Sequence, residues 1–139
     1  MGTRSRVAVM HGDVCKSVYC HYDGYLEHTG QVLNKYYDSV KANQLVATGD
    51  NSGVQPTIEE MRFYKDHGED NVGYQVAHTF QEFLEQVEGC GAEYYYVMRD
   101  GVWYVGAVYA VPGLHTGGLV PLTDALSQNT IEHLLAEEE

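Results

Sequence analysis

The spacing of apolar and polar positions changes several times along the chain, and each change marks an element. The clearest signal is residues 93–111 (EYYYVMRDGVWYVGAVYAV), where aromatic and β-branched residues flank Asp100-Gly101. Asp-Gly accepts positive φ at both positions and is a preferred two-residue hairpin turn. Such a turn sets Arg99 against Val102, Met98 against Trp103, Val97 against Tyr104 and Tyr96 against Val105. Side chains alternate along a strand. Tyr94, Tyr96, Met98, Trp103, Val105 and Ala107 therefore share one face, the bulkier one and the candidate core. Tyr95, Val97, Arg99, Val102, Tyr104, Gly106 and Val108 share the other.

A first hairpin is predicted over residues 5–20. Val7, Val9, Val14 and Val18 line one face, Gly12-Asp13 forms the turn, and Arg6 stands opposite Tyr19. Residues 20–30 (CHYDGYLEHTG) read as a loop. From Gln31 the period becomes helical through Val32, Leu33, Tyr36, Tyr37 and Val40. Asp38 or Ser39 re-caps a second helix, which Gly49 ends. Thr57-Ile58-Glu59-Glu60 fits a capping box opening a short helix with Ile58, Met61 and Tyr64 inward. Residues 65–71 (KDHGEDN) read as a solvated turn, and Val72, Tyr74, Val76 and His78 as a third strand.

Thr79-Phe80-Gln81-Glu82 is a second capping box. Phe80, Phe83, Leu84 and Val87 follow it at the spacing of a helix packed on one side. Glu82, Glu85 and Glu88 line that helix's outer face, and Gly89 and Gly91 stop it. Residues 112–118 read as a loop. Helical segments follow around Leu122 and Leu126 and around Ile131, Leu134 and Leu135, before a frayed acidic end at Glu137–Glu139. The expected fold is a single α+β domain over residues 1–139, an antiparallel sheet built from two β-hairpins with helices packed on one face.

A chain of 139 residues can bury one core unaided. No apolar run approaches the roughly 18–20 residues that cross a bilayer, and Val7–Met10 is too short for a signal-peptide core. A cytoplasmic protein without membrane contact is expected. Twenty acidic against eight basic residues give a net charge of −12. That balance opposes direct DNA or RNA binding and suits either solubility or a basic partner. Cys15, Cys20 and Cys90 are odd in number and lack framework spacing, so reduced thiols are expected.

Candidate chemistry is sparse. On a strand, Cys15 and Cys20 point to opposite faces about 16 Å apart, too far to share a metal with His21. No nucleophile elbow, phosphate-cradling loop or HExxH pair occurs, so neither cofactor nor metal is expected. Cys90 between two glycines reads as a small apolar residue. Asp66, Glu69 and Asp70 fit a solvated turn better than a cation site.

Tyrosine is the unusual residue, at twelve copies. The densest polar–aromatic group is Tyr19, His21, Tyr22, Asp23 and Tyr25, with Arg4 and Arg6 beside it through the first hairpin. Rings with a guanidinium can stack on a base and hold a phosphate, or anchor a protein interface. The structural alternative has Asp23 bonding local backbone and the rings covering the core edge. His21 and Asp23 as an acid–base pair give a further reading, a small hydrolase.

Thr3-Arg4-Ser5, the segment Tyr19-Cys20-His21-Tyr22-Asp23-Gly24-Tyr25, then Gly30, Leu33, Tyr37, and Gly49-Asp50 with Ser52, resemble a family of small phage proteins. Their pattern is an opening "TRS", then "YCHWDGY" and "GD.S", with Tyr22 here in place of the usual Trp. His67-Gly68-Glu69-Asp70 is also similar. The resemblance spans about the first half of the chain and assigns no catalytic or binding residue. It implies a phage or prophage accessory gene expressed in a bacterial cytoplasm. The expected function is then direct binding to a host factor without catalysis, for host takeover or counter-defence. A basic or nucleic-acid-binding host protein would meet the acidic face of Glu82, Glu85 and Glu88. The alternative is a sponge for a nucleotide signal, held by Arg4, Arg6 and the aromatics. A homodimer through an uncovered apolar face of the main hairpin is also expected.

Overall fold

The computed structural model describes residues 3–64, 73–108 and 118–127. The expected turn at residues 65–71, with Asp66, the His67–Asp70 run and neighbouring Val72, lies outside the described residues. So do residues 112–117, the Ile131–Leu135 segment and Glu137–Glu139.

Both hairpins form in the expected register. Strands β1 (Ser5–His11) and β2 (Val14–Cys20) pair with Arg6 opposite Tyr19. Strands β4 (Tyr94–Arg99) and β5 (Val102–Ala107) pair with Met98 opposite Trp103. At the second turn Asp100 (φ 52°) and Gly101 (φ 78°) are both left-handed, as a hairpin turn matched to strand twist requires. Two short strands, β3 (Gln75–Ala77) and β6 (Val120–Pro121), complete a six-stranded sheet in the order β3-β2-β1-β4-β5-β6. The two hairpins meet where β1 runs parallel to β4. The sheet is therefore mixed, though antiparallel pairs dominate, and the domain is α+β.

Helices α1 (Gln31–Tyr36) and α2 (Ser39–Thr48) and the helical residues 122–127 clad one face. Their Leu33, Leu45, Val46 and Leu122 pack on Val7, Val18, Tyr96, Trp103 and Val105. This is the face expected to be the core. The helical spacing also placed Tyr36 and Val40 inward, but both are exposed, Val40 at 66%. The helix breaks at Tyr37 and restarts at Asp38, whose Oδ1 accepts from the Lys41 N–H at 2.8 Å. The break resets the helical phase, so Ala42 and Leu45 face inward instead. After Thr57 only a short 3₁₀ turn forms, Ile58–Glu60, without a side-chain cap.

Helix α3 (Phe80–Gly89) closes its capping box. Thr79 Oγ1 accepts from the Glu82 N–H at 3.1 Å, and Glu82 Oε2 accepts from the His78 N–H at 2.7 Å. Its Phe83 and Val87 pack with Ala8, Cys15, Tyr95 and Val97, the opposite face of the sheet from α1 and α2. On the hairpin face offered for a homodimer, α3 covers Tyr95 and Val97 of β4, while Val102 of β5 is 45% exposed.

Three of the tyrosines are buried staples. The Tyr37, Tyr95 and Tyr96 hydroxyls donate to the carbonyls of Gln55, Gly118 and Gly24 at 2.8, 2.9 and 2.6 Å. Each spends its apolar ring on the core and its hydroxyl on a loop carbonyl.

Candidate functional site

Strand alternation puts Arg6 on the α3 face of the sheet, next to Ala8. There it is only 2% exposed. A buried guanidinium is costly unless its donors are met. The Arg6 Nε–H donates to Ser17 Oγ at 2.9 Å and Nη2 donates to the Ser17 carbonyl at 3.1 Å. Among the described residues nothing accepts from Nη1. Arg6 lines a pocket of about 420 Å³ together with Tyr19, Asp50, Gln75, Gln86, Gly89 and Cys90. That volume lies within the range of small-molecule sites, roughly 300–1,000 Å³.

Four distant parts of the chain build these walls. Asp50 arrives because Asn51 and Ser52 pair alongside the end of β2: the Asn51 N–H donates to the Tyr19 carbonyl, and the Tyr22 N–H to the Ser52 carbonyl. Asp50 Oδ1 accepts from the Tyr19 N–H at 2.8 Å. Burial pushes the Asp50 carboxyl above its ordinary value, while the Tyr19 N–H and the Arg6 guanidinium pull the other way. Gln75 comes from β3, opposite Ser17. Gln86 and Cys90 come from the end of α3. The Gln86 Nε2 donates to the Val76 carbonyl at 3.0 Å, and its Oε1 is buried without a hydrogen-bond partner among the described residues. Arg4 is exposed nearby, its guanidinium lying against Gly91, where φ is +74° and a Cβ would stand 3.0 Å from Arg4 Nη1.

The expected cluster of Arg4, Arg6, Tyr19, His21, Tyr22, Asp23 and Tyr25 therefore divides. Arg6 and Tyr19 line the pocket, with Arg4 near enough to Tyr19 to act on its hydroxyl electrostatically. His21 Nδ1 shares a 2.6 Å hydrogen bond with the Tyr19 hydroxyl. Tyr22, at 50% exposure, and Asp23 line a separate hollow of about 240 Å³ with Ser52, Gly53, Gln55, Glu60 and Arg62. Asp23 sits at φ 57°, and its carbonyl accepts from both the N–H and the hydroxyl of Thr29. The hydrogen bonds of His21 and Asp23 thus lead to different partners. Tyr25 is half-buried, and its carbonyl starts the π-turn Leu26–Gly30 by accepting from the Gly30 N–H at 3.4 Å, with the His28 N–H also donating to it at 3.2 Å. Glu82, Glu85 and Glu88 are all exposed on α3. Sequence reading missed Asp50, Gln75 and Gln86, and it took Cys90 for a small apolar residue. The nearest signal to them was the Gly49-Asp50 pair, noted only as part of a resemblance.

A larger hollow, about 540 Å³, lies on the other face between Tyr36, Asp38, Met98, Val102 and Trp103. Its charged groups, Lys35 and Asp38, are exposed. Of these hollows among the described residues, the Arg6 pocket holds a buried charge with a donor left over, which is the stronger mark of a ligand site.

The thiols separate by environment. Burial pushes Cys15 up to about 11 and Cys20 up to about 12, and the two lie in different cores on opposite sheet faces. Thiolate is the reactive form. At pH 8 an aromatic disulfide reagent should label one thiol quickly, Cys90, and all three after unfolding. Fast native labelling of Cys15 or Cys20 would contradict the packing. Compared with known proteins, the chain matches no family model, no curated protein and no solved structure.

Proposed function

We propose that this chain is a non-enzymatic binding protein that holds a nucleotide-sized ligand in the Arg6 pocket. The observation that carries this reading is Arg6 itself, 2% exposed, held by Ser17 through Nε and Nη2. A strand position under a helix is an expensive place for a charge that makes no salt bridge among the described residues. Its spare donor is available to a ligand acceptor, the half-buried Tyr19 adds a ring to the wall, and Arg4 waits at the rim. In a phage accessory protein, as the sequence resemblance implies, such a pocket would sequester a nucleotide signal in the host cytoplasm. The test is a thermal shift against linear and cyclic nucleotides. A ligand at 100 times its Kd adds about 2.7 kcal/mol of stability, several degrees in melting temperature. No shift with any of them would refute the reading.

A second reading is docking to a basic host protein. It is favoured by the exposure of Glu82, Glu85 and Glu88 on one helix in a chain of net charge −12. Such binding weakens steeply with added salt. Charge reversal of all three glutamates would abolish it, and an unaffected interaction would exclude this face.

A further inference from the structure

The Arg6 pocket has two unlike halves. One half carries the Arg6 guanidinium, whose Nη1 has no acceptor among the described residues. The other half accepts. It holds the Asp50 carboxylate and the buried, unpartnered Oε1 of Gln86. The C-terminal end of α3 at Gly89 and Cys90 adds the partial negative charge of its last carbonyls. A bare anion serves only the donor half. A phosphate seated on Arg6 would face Asp50 and Gln86 Oε1, two acceptors that it cannot satisfy. A buried acceptor left without a donor costs as much as a lost hydrogen bond.

A flat ring that carries a carbonyl beside N–H groups serves both halves at once. Guanine has this edge, with O6 accepting and N1–H and N2–H donating. Adenine lacks the N1–H and has a donor where guanine has O6. Building on the ligand-binding reading above, we propose that the pocket selects a guanine base. Arg6 donates to its carbonyl, Asp50 and Gln86 Oε1 accept from its N–H groups, and Arg4 at the rim is left for the phosphate. Arg6 then fixes the base, and the anionic part of the nucleotide stays at the solvent edge, away from the α3 C-terminus.

The experiment is isothermal titration of the wild-type chain with guanosine, inosine and adenosine monophosphates, and with inorganic phosphate alone. Guanosine monophosphate should bind at least about tenfold more tightly than adenosine monophosphate, with the inosine compound, which lacks the N2 amino group, in between. Inorganic phosphate should not compete. The same series on Asp50→Asn should lose the preference. The asparagine keeps an oxygen for the Tyr19 N–H, and circular dichroism will show that the variant is folded. A preference below tenfold in the wild type, or one retained in Asp50→Asn, overturns guanine selection while leaving the pocket as a nucleotide site. Absence of binding by every nucleotide overturns both.

Discussion

Phe83→Ala should cost about 3–5 kcal/mol of folding stability, the range for removing a fully buried aromatic ring. Phe83 is sealed against the sheet beside Tyr95, their ring centroids 5.9 Å apart and nearly perpendicular. With Val87 it fixes α3 over Ala8 and Val97. Urea denaturation should show a lower midpoint with an unchanged slope if the loss is packing alone. The functional consequence follows from position. Gln86, Gly89 and Cys90 are carried by the end of the same helix, so loosening α3 also opens the Arg6 pocket. Ligand affinity should fall with stability. Val40→Ala is the matched control, because Val40 is 66% exposed, and its effect should stay within about 0.5 kcal/mol.

Arg6→Met should separate folding from binding. Methionine fills the apolar volume of the arginine stem and removes a buried charge whose hydrogen bonds among the described residues go to Ser17. Replacing buried charge with packed apolar groups is often neutral or stabilising. Stability is therefore expected within about 1 kcal/mol of the wild type. Binding should weaken by roughly 10- to 100-fold, the worth of a hydrogen bond to a charged group. A variant that unfolds yet still binds in its folded fraction would make Arg6 a structural residue.

Much of the fold was legible because its signals are local. Asp100-Gly101 and Gly12-Asp13 fix registers through turn chemistry alone, and every predicted pair of the main hairpin is found. Thr79 and Glu82 announce α3 through a reciprocal cap. The parallel β1–β4 contact has no such mark, since its strands are some ninety residues apart and paired by packing. Neither does the destination of α3. Its apolar stripe says that one side is buried, not which sheet face buries it. Val40 fits the helical period of α1 only while the helix is taken as continuous, and one capped break at Asp38 removes it from the core; Tyr36, in the last turn of α1, is exposed as well.

The candidate site was half visible. The pairing of Arg6 with Tyr19 followed from the first hairpin. Asp50, Gln75 and Gln86 reach the same point through a loop, a three-residue strand and a helix end, none of which carries register information. The tyrosine surplus pointed partly the wrong way. Tyr37, Tyr95 and Tyr96 are core residues whose hydroxyls meet loop carbonyls, so they are no part of a docking surface.

The central claim is that a spare donor on a buried arginine awaits a ligand in the pocket under α3. Titration of the ¹⁵N-labelled chain with guanosine monophosphate, followed by NMR, tests it most directly. The account predicts that the Arg6 Nε–H, the Tyr19 amide and the Gln86 side-chain amide shift together and saturate. Shifts confined to residues around Tyr36, Val102 and Trp103, or none at any concentration, would contradict it.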